Sequence, residues 1–265
     1  MASSDTHIYL ITGANRGIGK VVLKTFLSRP NTTTIAAVRD PASASVSALS
    51  ALPVGRNSRL ILVKIDSTSE ADAREAVEEL RSKHGIDHLD TVIANAGIGK
   101  YHGPLMGVTT AQLQEHINVN MFVSEYVTEM PESNAIGPFR LFQAVAPLLQ
   151  KSAQPKFVLL GTPVGSIGEM EKHGMPMFAY GASKAMAHYM VRKIHFEHQD
   201  VIAFAVDPGF AQSDMGNTGA RFFGMAEAMV PLEDAGKFVV SQIDGATREQ
   251  TSGHFPSFSG GEVGW

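Results

Sequence analysis

Short, almost wholly apolar runs alternate along this chain with longer segments in which apolar residues recur every three or four positions. The runs are His7-Ile-Tyr-Leu-Ile-Thr12, Thr32–Val38, Arg59-Leu-Ile-Leu-Val-Lys-Ile65, Leu89-Asp-Thr-Val-Ile-Ala94, Lys156-Phe-Val-Leu-Leu160 and Val201-Ile-Ala-Phe-Ala-Val206. Runs of this kind predict strands buried on both faces. The intervening pattern predicts helices over 20–28, 69–83, 109–120, 135–150, 180–195 and 231–243. In 69–83, for example, Ala73, Ala76, Val77 and Leu80 fall on one side. Regular alternation of strand and helix predicts an α/β fold: a single Rossmann-like, doubly wound parallel sheet with helices on both faces. A last short strand is expected at 254–258. Residues 210–230 are rich in Gly and Met without clear periodicity, and read as a lid or an irregular helix pair. No repeat, linker or boundary divides the chain, so 1–265 reads as one domain.

Composition narrows the picture mainly by exclusion. The chain has 265 residues, 44% hydrophobic and 18% charged, the profile of a protein able to bury a core. Its formal net charge is -4, and no basic block suggests a nucleic-acid or membrane partner. With no cysteine, a disulfide framework, a thiolate nucleophile and a cysteine metal site are all excluded. His195 and His198 lack a carboxylate pair at metal spacing, so no metal site is expected. The N-terminus reaches its first strand too soon for a signal peptide, and no apolar run would span a bilayer, so a cytoplasmic protein is expected.

The chemistry begins where the first strand meets the first helix. Thr12-Gly13-Ala-Asn15-Arg16-Gly17-Ile18-Gly19 is a glycine turn between the two. Glycines let a backbone approach a pyrophosphate, and the helix N-terminus offers N–H groups to it. At the end of the second strand, Arg39 joins Arg16 in a corner where guanidiniums would accept a 2′-phosphate, favouring NADP(H) over NAD(H). Asp40 opposes that reading, although its place before Pro41 equally suits a helix start. Asp66, after the third strand, could accept from an adenine amino group or cap the next helix. Small residues at Asn95-Ala96-Gly97, after the fourth strand, would let a cofactor lie against the backbone.

Tyr180-Gly-Ala-Ser-Lys184 places a phenol and an ammonium four residues apart, on one helix face. An adjacent ammonium lowers a tyrosine pKa, which suits the pair to proton transfer at a carbonyl/alcohol couple. The Met-rich stretch before it, with Met170, Met175 and Met177, reads as a substrate-pocket wall. Asp207-Pro208-Gly209 and Ser213 follow the sixth strand and would wrap the nicotinamide end of a cofactor.

Taken together in this order, these motifs resemble the short-chain dehydrogenase/reductase family over nearly the whole chain. Within it, Phe157-Val-Leu-Leu-Gly-Thr-Pro-Val-Gly-Ser-Ile, the Met-bearing loop and Phe210-Ala-Gln-Ser-Asp-Met-Gly look like fungal ketoreductases of the norsolorinic acid reductase type. The resemblance implies hydride delivery from NADPH to a ketone, with Tyr180 donating the proton. It implies that Lys184 lowers the tyrosine pKa and binds the nicotinamide ribose. A substrate-holding hydroxyl is implied after the fifth strand, and a proton-relaying asparagine in the helix before it. It further implies an aromatic or polyketide-derived substrate of secondary metabolism, and a homodimer or homotetramer.

Two departures from the family pattern stand out. The substrate-holding serine is replaced by Thr162, with Ser166 nearby as a second hydroxyl. The pattern His-Ile-Asn-Val-Asn-Ala-Ile-Gly-Pro is interrupted by the acidic, proline-containing segment 121–133, which leaves Asn120 before it and Asn134 after it. Asn134 is preferred for the relay because it keeps its spacing to the following helix. The segment reads either as an insertion or as a gene-model error, which transcript sequencing distinguishes. A non-catalytic NADP(H)-binding regulator and an alcohol dehydrogenase working toward oxidation are the alternative functions.

Overall fold

The computed structural model describes residues 6–120 and 137–265. Six parallel strands form one sheet in the order β3-β2-β1-β4-β5-β6. They are β1 (His7–Thr12), β2 (Thr32–Val38), β3 (Arg59–Lys64), β4 (Thr91–Ala94), β5 (Lys156–Leu160) and β6 (Ile202–Val206). Every residue of β2, β4, β5 and β6 is buried, including Thr32, Thr33 and Thr34 of β2, Thr91 of β4 and Lys156 of β5. The helices are α1 (Gly17–Leu27), α2 (Ala44–Ser47), α3 (Asp72–His84), α4 (Thr110–Asn120), α5 (Gly137–Leu149), α6 (Phe178–Glu197), α7 (Asp214–Phe222) and α8 (Leu232–Asp244).

The strands carry a separate core on each face. Leu80, Leu141, Val145 and Val191, from α3, α5 and α6, close one side; Val22, Phe26, Val239 and Ile243, from α1 and α8, close the other. β1 pairs with both β2 and β4, so the strand order reverses between β1 and β4. In such sheets a crevice opens outside the carboxyl ends of the strands at that reversal, and ligands bind there.

The chain departs from the periodicity in a few places. α3 starts at Asp72 rather than 69, because Asp66, Thr68 and Ser69 spend their polar groups on a turn: Asp66 Oδ1 accepts from the Thr68 amide at 2.8 Å and its hydroxyl at 2.7 Å. Asp66 therefore does not cap α3. The strand expected at 254–258 is instead two isolated bridges, Asp207 with Ser257 and Pro256 with Glu262. Pro256 has no N–H to continue a ladder beside β6. Within 210–230, α7 is closed off by a bridge between Ala211 and Val230. Segment 121–133 and Asn134 lie outside the described residues.

Candidate active site

The glycine turn is held by atoms that periodicity does not foresee. Gly13 and Gly17 have φ of +63° and +55°, where a side chain is strained. A Cβ on Gly19 would come within 2.4 Å of Asn95 Nδ2 and 2.6 Å of the Gly13 carbonyl oxygen. Asn95 Nδ2 donates to the Thr12 carbonyl at 2.8 Å, and the Thr12 hydroxyl accepts from the amides of Asn95 and Ala96 at 3.1 and 3.0 Å. The ends of β1 and β4 are thus locked together at the strand-order reversal. No side chain caps α1 and no acidic residue stands in its first turn. Its first amides and positive dipole end are therefore available to an anion. Ile18 packs into the apolar layer beneath.

Around the corner at the end of β2, Arg39 is exposed and Asp40 is occupied, accepting from the Ala42 amide at 2.9 Å. Asn15 reaches across to the Ser45 hydroxyl at 2.8 Å. Arg16 stands 4.0 Å from Asp214 at the start of α7, an exposed pair joining the glycine turn to the segment over it. A Cβ on Gly17 would touch Ser213, whose hydroxyl caps α7 by accepting from the Gly216 amide at 3.1 Å. Gly209, at φ +75°, donates its amide to Asp207 at 3.0 Å. The buried Asp207 also accepts from the Ser257 hydroxyl at 2.7 Å, which ties the end of β6 to the C-terminal tail.

Tyr180 and Lys184 share one face of α6, but their coupling differs from the expectation. Lys184 is buried; its ammonium donates to the Leu160 carbonyl at 2.8 Å and lies 6.0 Å from the Tyr180 ring centroid. Burial without a carboxylate partner pushes its pKa down to about 8. The Tyr180 pKa is raised, first by burial and then by the charge of Asp207; only a hydrogen bond with the Thr162 side chain draws it back. Lys184 is not among the groups that lower it, so the structure reverses the expected direction. The cause is burial: desolvation disfavours the phenolate, and Lys184, its own pKa lowered, has lost its charge before the phenol would ionise.

Asn120 is the last described residue of α4 and is fully buried. Its Oδ1 accepts from the Ile98 amide at 2.8 Å, and its Nδ2 donates to the Ile98 carbonyl at 2.9 Å and to the Ser183 hydroxyl at 3.0 Å. Ser183 in turn donates to the Tyr180 carbonyl at 2.7 Å. Asn120, set aside in favour of Asn134 on spacing, therefore joins the loop after β4 to the helix that carries Tyr180. A Cβ on Gly97 would lie 3.1 Å from Asn120 Oδ1 and 3.7 Å from Lys184 Nζ, so only a glycine leaves the space between them open. Ser183 was legible inside the Tyr-Lys motif but carried no signal of its own.

Thr162 follows β5 in extended conformation and opens a 3₁₀ turn at Pro163–Gly165. Its amide donates to His188 Nε2 at 3.4 Å. Ser166 is buried and its hydroxyl accepts from the Glu169 amide at 3.0 Å, which closes the loop after β5. Near Tyr180 the wall is Met215: a Cβ on Gly99 would sit 3.3 Å from its sulfur and 3.7 Å from the Tyr180 ring. His102 lies tilted against Phe222 and edge-on to Phe223, with centroids 5.2 and 6.1 Å apart. Of the expected methionine wall, Met177 pairs with Gly103, whereas Met170 and Met175 are exposed. His195 bonds Ser252 and His198 packs on Phe142. A separate cleft of about 460 Å³ lies among His7, Asp87, His88 and Lys151, where β1 begins, at the end of the strands opposite the glycine turn.

The comparisons agree with this architecture. A short chain dehydrogenase family profile matches residues 7–221. Norsolorinic acid ketoreductase of Aspergillus parasiticus is 44% identical over 250 residues, covering 94% of this chain and 87% of its own length. Norsolorinic acid ketoreductase stcE of Emericella nidulans is 41% identical over 266 residues, covering 99% of this chain and 95% of that one. Among solved structures, NADPH-bound carbonyl reductase from chicken fatty liver superposes with a TM-score of 0.79 at 21% identity, over 98% of this chain and 99% of the other. At that identity the likeness is one of fold.

Proposed function

The chain belongs to the short chain dehydrogenase family, and from that premise we propose that it reduces a ketone to a secondary alcohol with NADPH. It is an oxidoreductase using a nicotinamide cofactor. The preference for NADPH is supported by Arg39, exposed at the end of β2, with Arg16 in the neighbouring glycine turn, both suited to a 2′-phosphate. The site fits such a cofactor: α1 presents uncapped amides behind a turn of positive-φ glycines, and a side chain at Gly97 would fill the gap between Asn120 and Lys184. Thr12, Asn95 and Ala96 hold that floor, Asp66 stands at the adenine end, and Pro208, Gly209 and Ser213 at the nicotinamide end. When bound, the nicotinamide supplies the hydride.

The observation that carries the proposal is the meeting of a phenol, the Thr162 side chain that acts on it, and a buried lysine whose ammonium is held at the end of β5. Tyr180, held protonated by its high pKa, donates its proton to the developing alkoxide. Thr162 orients the carbonyl oxygen toward that phenol; its hydroxyl both donates and accepts, as a serine's would. Lys184, easily deprotonated and re-protonated near neutrality, serves the ribose and the return of a proton to Tyr180. Asn120, rather than Asn134, is the asparagine of the relay, through its bonds to Ile98 and Ser183. Met215 and the His102–Phe222 pair present an apolar, aromatic wall. That wall, and two ketoreductase relatives at 44% and 41% identity, support an aromatic, polyketide-derived ketone as substrate.

The test is a fluorescence titration with NADPH and NADH, followed by NADPH oxidation over a panel of aromatic ketones. Tighter binding of NADPH with turnover is expected. Tyr180→Phe should lower kcat by about 10²- to 10⁴-fold and leave NADPH binding intact. Retained turnover removes Tyr180 from the chemistry, and binding without turnover by the wild type supports a regulator instead.

A further inference from the structure

One buried titratable side chain has no part in the steps above. His188 lies one turn beyond Lys184 on α6 and is 2% exposed. Its Nε2 accepts the Thr162 amide at 3.4 Å. Its Nδ1 is also buried and, among the described residues, meets no partner in hydrogen-bond geometry, with the Gly165 backbone the acceptor that acts on the ring. A ring nitrogen that accepts carries no proton, so this geometry calls for a neutral imidazole protonated at Nδ1. Burial and the charge of Lys184 favour the neutral form, pushing the pKa down to about 3, while the Gly165 backbone pulls weakly the other way.

The ring's surroundings show what it holds. A Cβ on Gly161 would lie 3.0 Å from Nε2, and one on Gly165 2.8 Å from Cε1. The imidazole therefore underlies the loop on both sides of Thr162. From the far side it is closed in by Phe255 and Trp265 of the C-terminal tail, with centroids 4.7 and 6.1 Å away. Lys184 is the titratable group whose charge reaches it, and from the tail Phe255 and the indole of Trp265 pack against it. Packing alone gives no reason for an imidazole here, since an apolar ring would fill the room without burying two polar nitrogens.

We propose that His188 is a positioning residue for Thr162. Its bare Nε2 fixes the Thr162 amide, and the backbone so placed aims the Thr162 hydroxyl at the Tyr180 phenol. Threonine makes this necessary: a β-branched side chain has few low-energy χ1 choices, so the direction of its hydroxyl follows the backbone. The proposal rests on the roles given to Thr162 and Tyr180 above.

His188→Phe keeps a ring and removes the acceptor; His188→Gln returns a polar acceptor near the place of Nε2. His188→Phe should lower kcat about 10-fold with KM for NADPH unchanged, and His188→Gln should recover most of that loss. In a Thr162→Val background, His188→Phe should change kcat by less than about 2-fold, because the hydroxyl it aims is gone. An equal loss in both backgrounds, or no loss in the wild-type background, overturns the proposal. If His188→Phe does not fold, His188→Met serves in its place. A readout independent of turnover is ¹⁵N-histidine NMR of the wild type, with His188 assigned by its loss in His188→Gln. The expected result is an Nδ1–H tautomer that does not titrate between pH 8 and about pH 5. A titrating ring, or a proton on Nε2, overturns the proposal even if the chain reduces no ketone. Conversely, an Nδ1–H tautomer together with full turnover by Tyr180→Phe sinks the catalytic reading alone.

Discussion

Replacing Asn120 with alanine tests the join between the cofactor floor and the catalytic helix. The amide makes three buried hydrogen bonds, at 2.8 and 2.9 Å to Ile98 and 3.0 Å to Ser183. Each is worth about 1 kcal/mol net, so their loss removes about 3 kcal/mol, with water in the vacated space returning part of it. For a domain of this size that lowers Tm by roughly 6–12 °C. The Ile98 backbone and the Ser183 hydroxyl lose their common partner, so the loop after β4 and the N-terminal turn of α6 move apart. A fall in kcat of about 10- to 100-fold should accompany the change. Thermal unfolding by circular dichroism and steady-state NADPH oxidation read the two effects separately. Unchanged Tm and kcat in Asn120→Ala, with both lost in Asn134→Ala, would refute the assignment and restore the preference drawn from spacing.

Three further outcomes follow from the same geometry. Lys184→Met should stabilise the cofactor-free protein at pH 7 by roughly 2–3 kcal/mol while disabling turnover. The folded lysine has its pKa below the ordinary 10.5, at about 8, so its burial costs most below pH 8 and the cost fades as pH rises toward 10.5. The gap between variant and wild type in urea melts should close over that range, and a pH-independent gap rejects the cause. Gly19→Ala puts a methyl where 2.4 Å separates it from Asn95 and 2.6 Å from Gly13, so about 1–3 kcal/mol of stability and roughly 10-fold in NADPH affinity should be lost. Excising residues 121–134 or 120–133 yields the same chain, in which Val119 and Gly137 become i and i+4. A Cβ on Gly137 would already lie 2.7 Å from the Val119 carbonyl oxygen, so α4 should run on into α5. Unfolding should stay cooperative with Tm and turnover no lower, and an aggregated or inactive product counts against the join.

Local pattern was enough for the frame. A strand buried on both faces is rich in apolar and β-branched residues along its whole length, so β2 and β5 could be read to the residue from the chain alone. Glycines at Gly13, Gly17 and Gly19 were visible because positive φ and close approach leave no other choice of residue. Tyr180 and Lys184 were visible because four residues span one helical turn. These features depend on neighbours in sequence, and sequence order carries them. The partners did not. Whether Lys184 serves Tyr180 or Leu160, whether Asp66 caps a helix or a turn, and whether Ser166 faces a substrate or the Glu169 amide depend on distances between elements far apart in the chain. Burial works the same way: it raised the Tyr180 pKa where a motif alone implied a lower one, because desolvation depends on what every other segment packs around the phenol. Asn120 and His188 met their partners by folding onto Ile98, Ser183 and Thr162, contacts that no periodicity encodes.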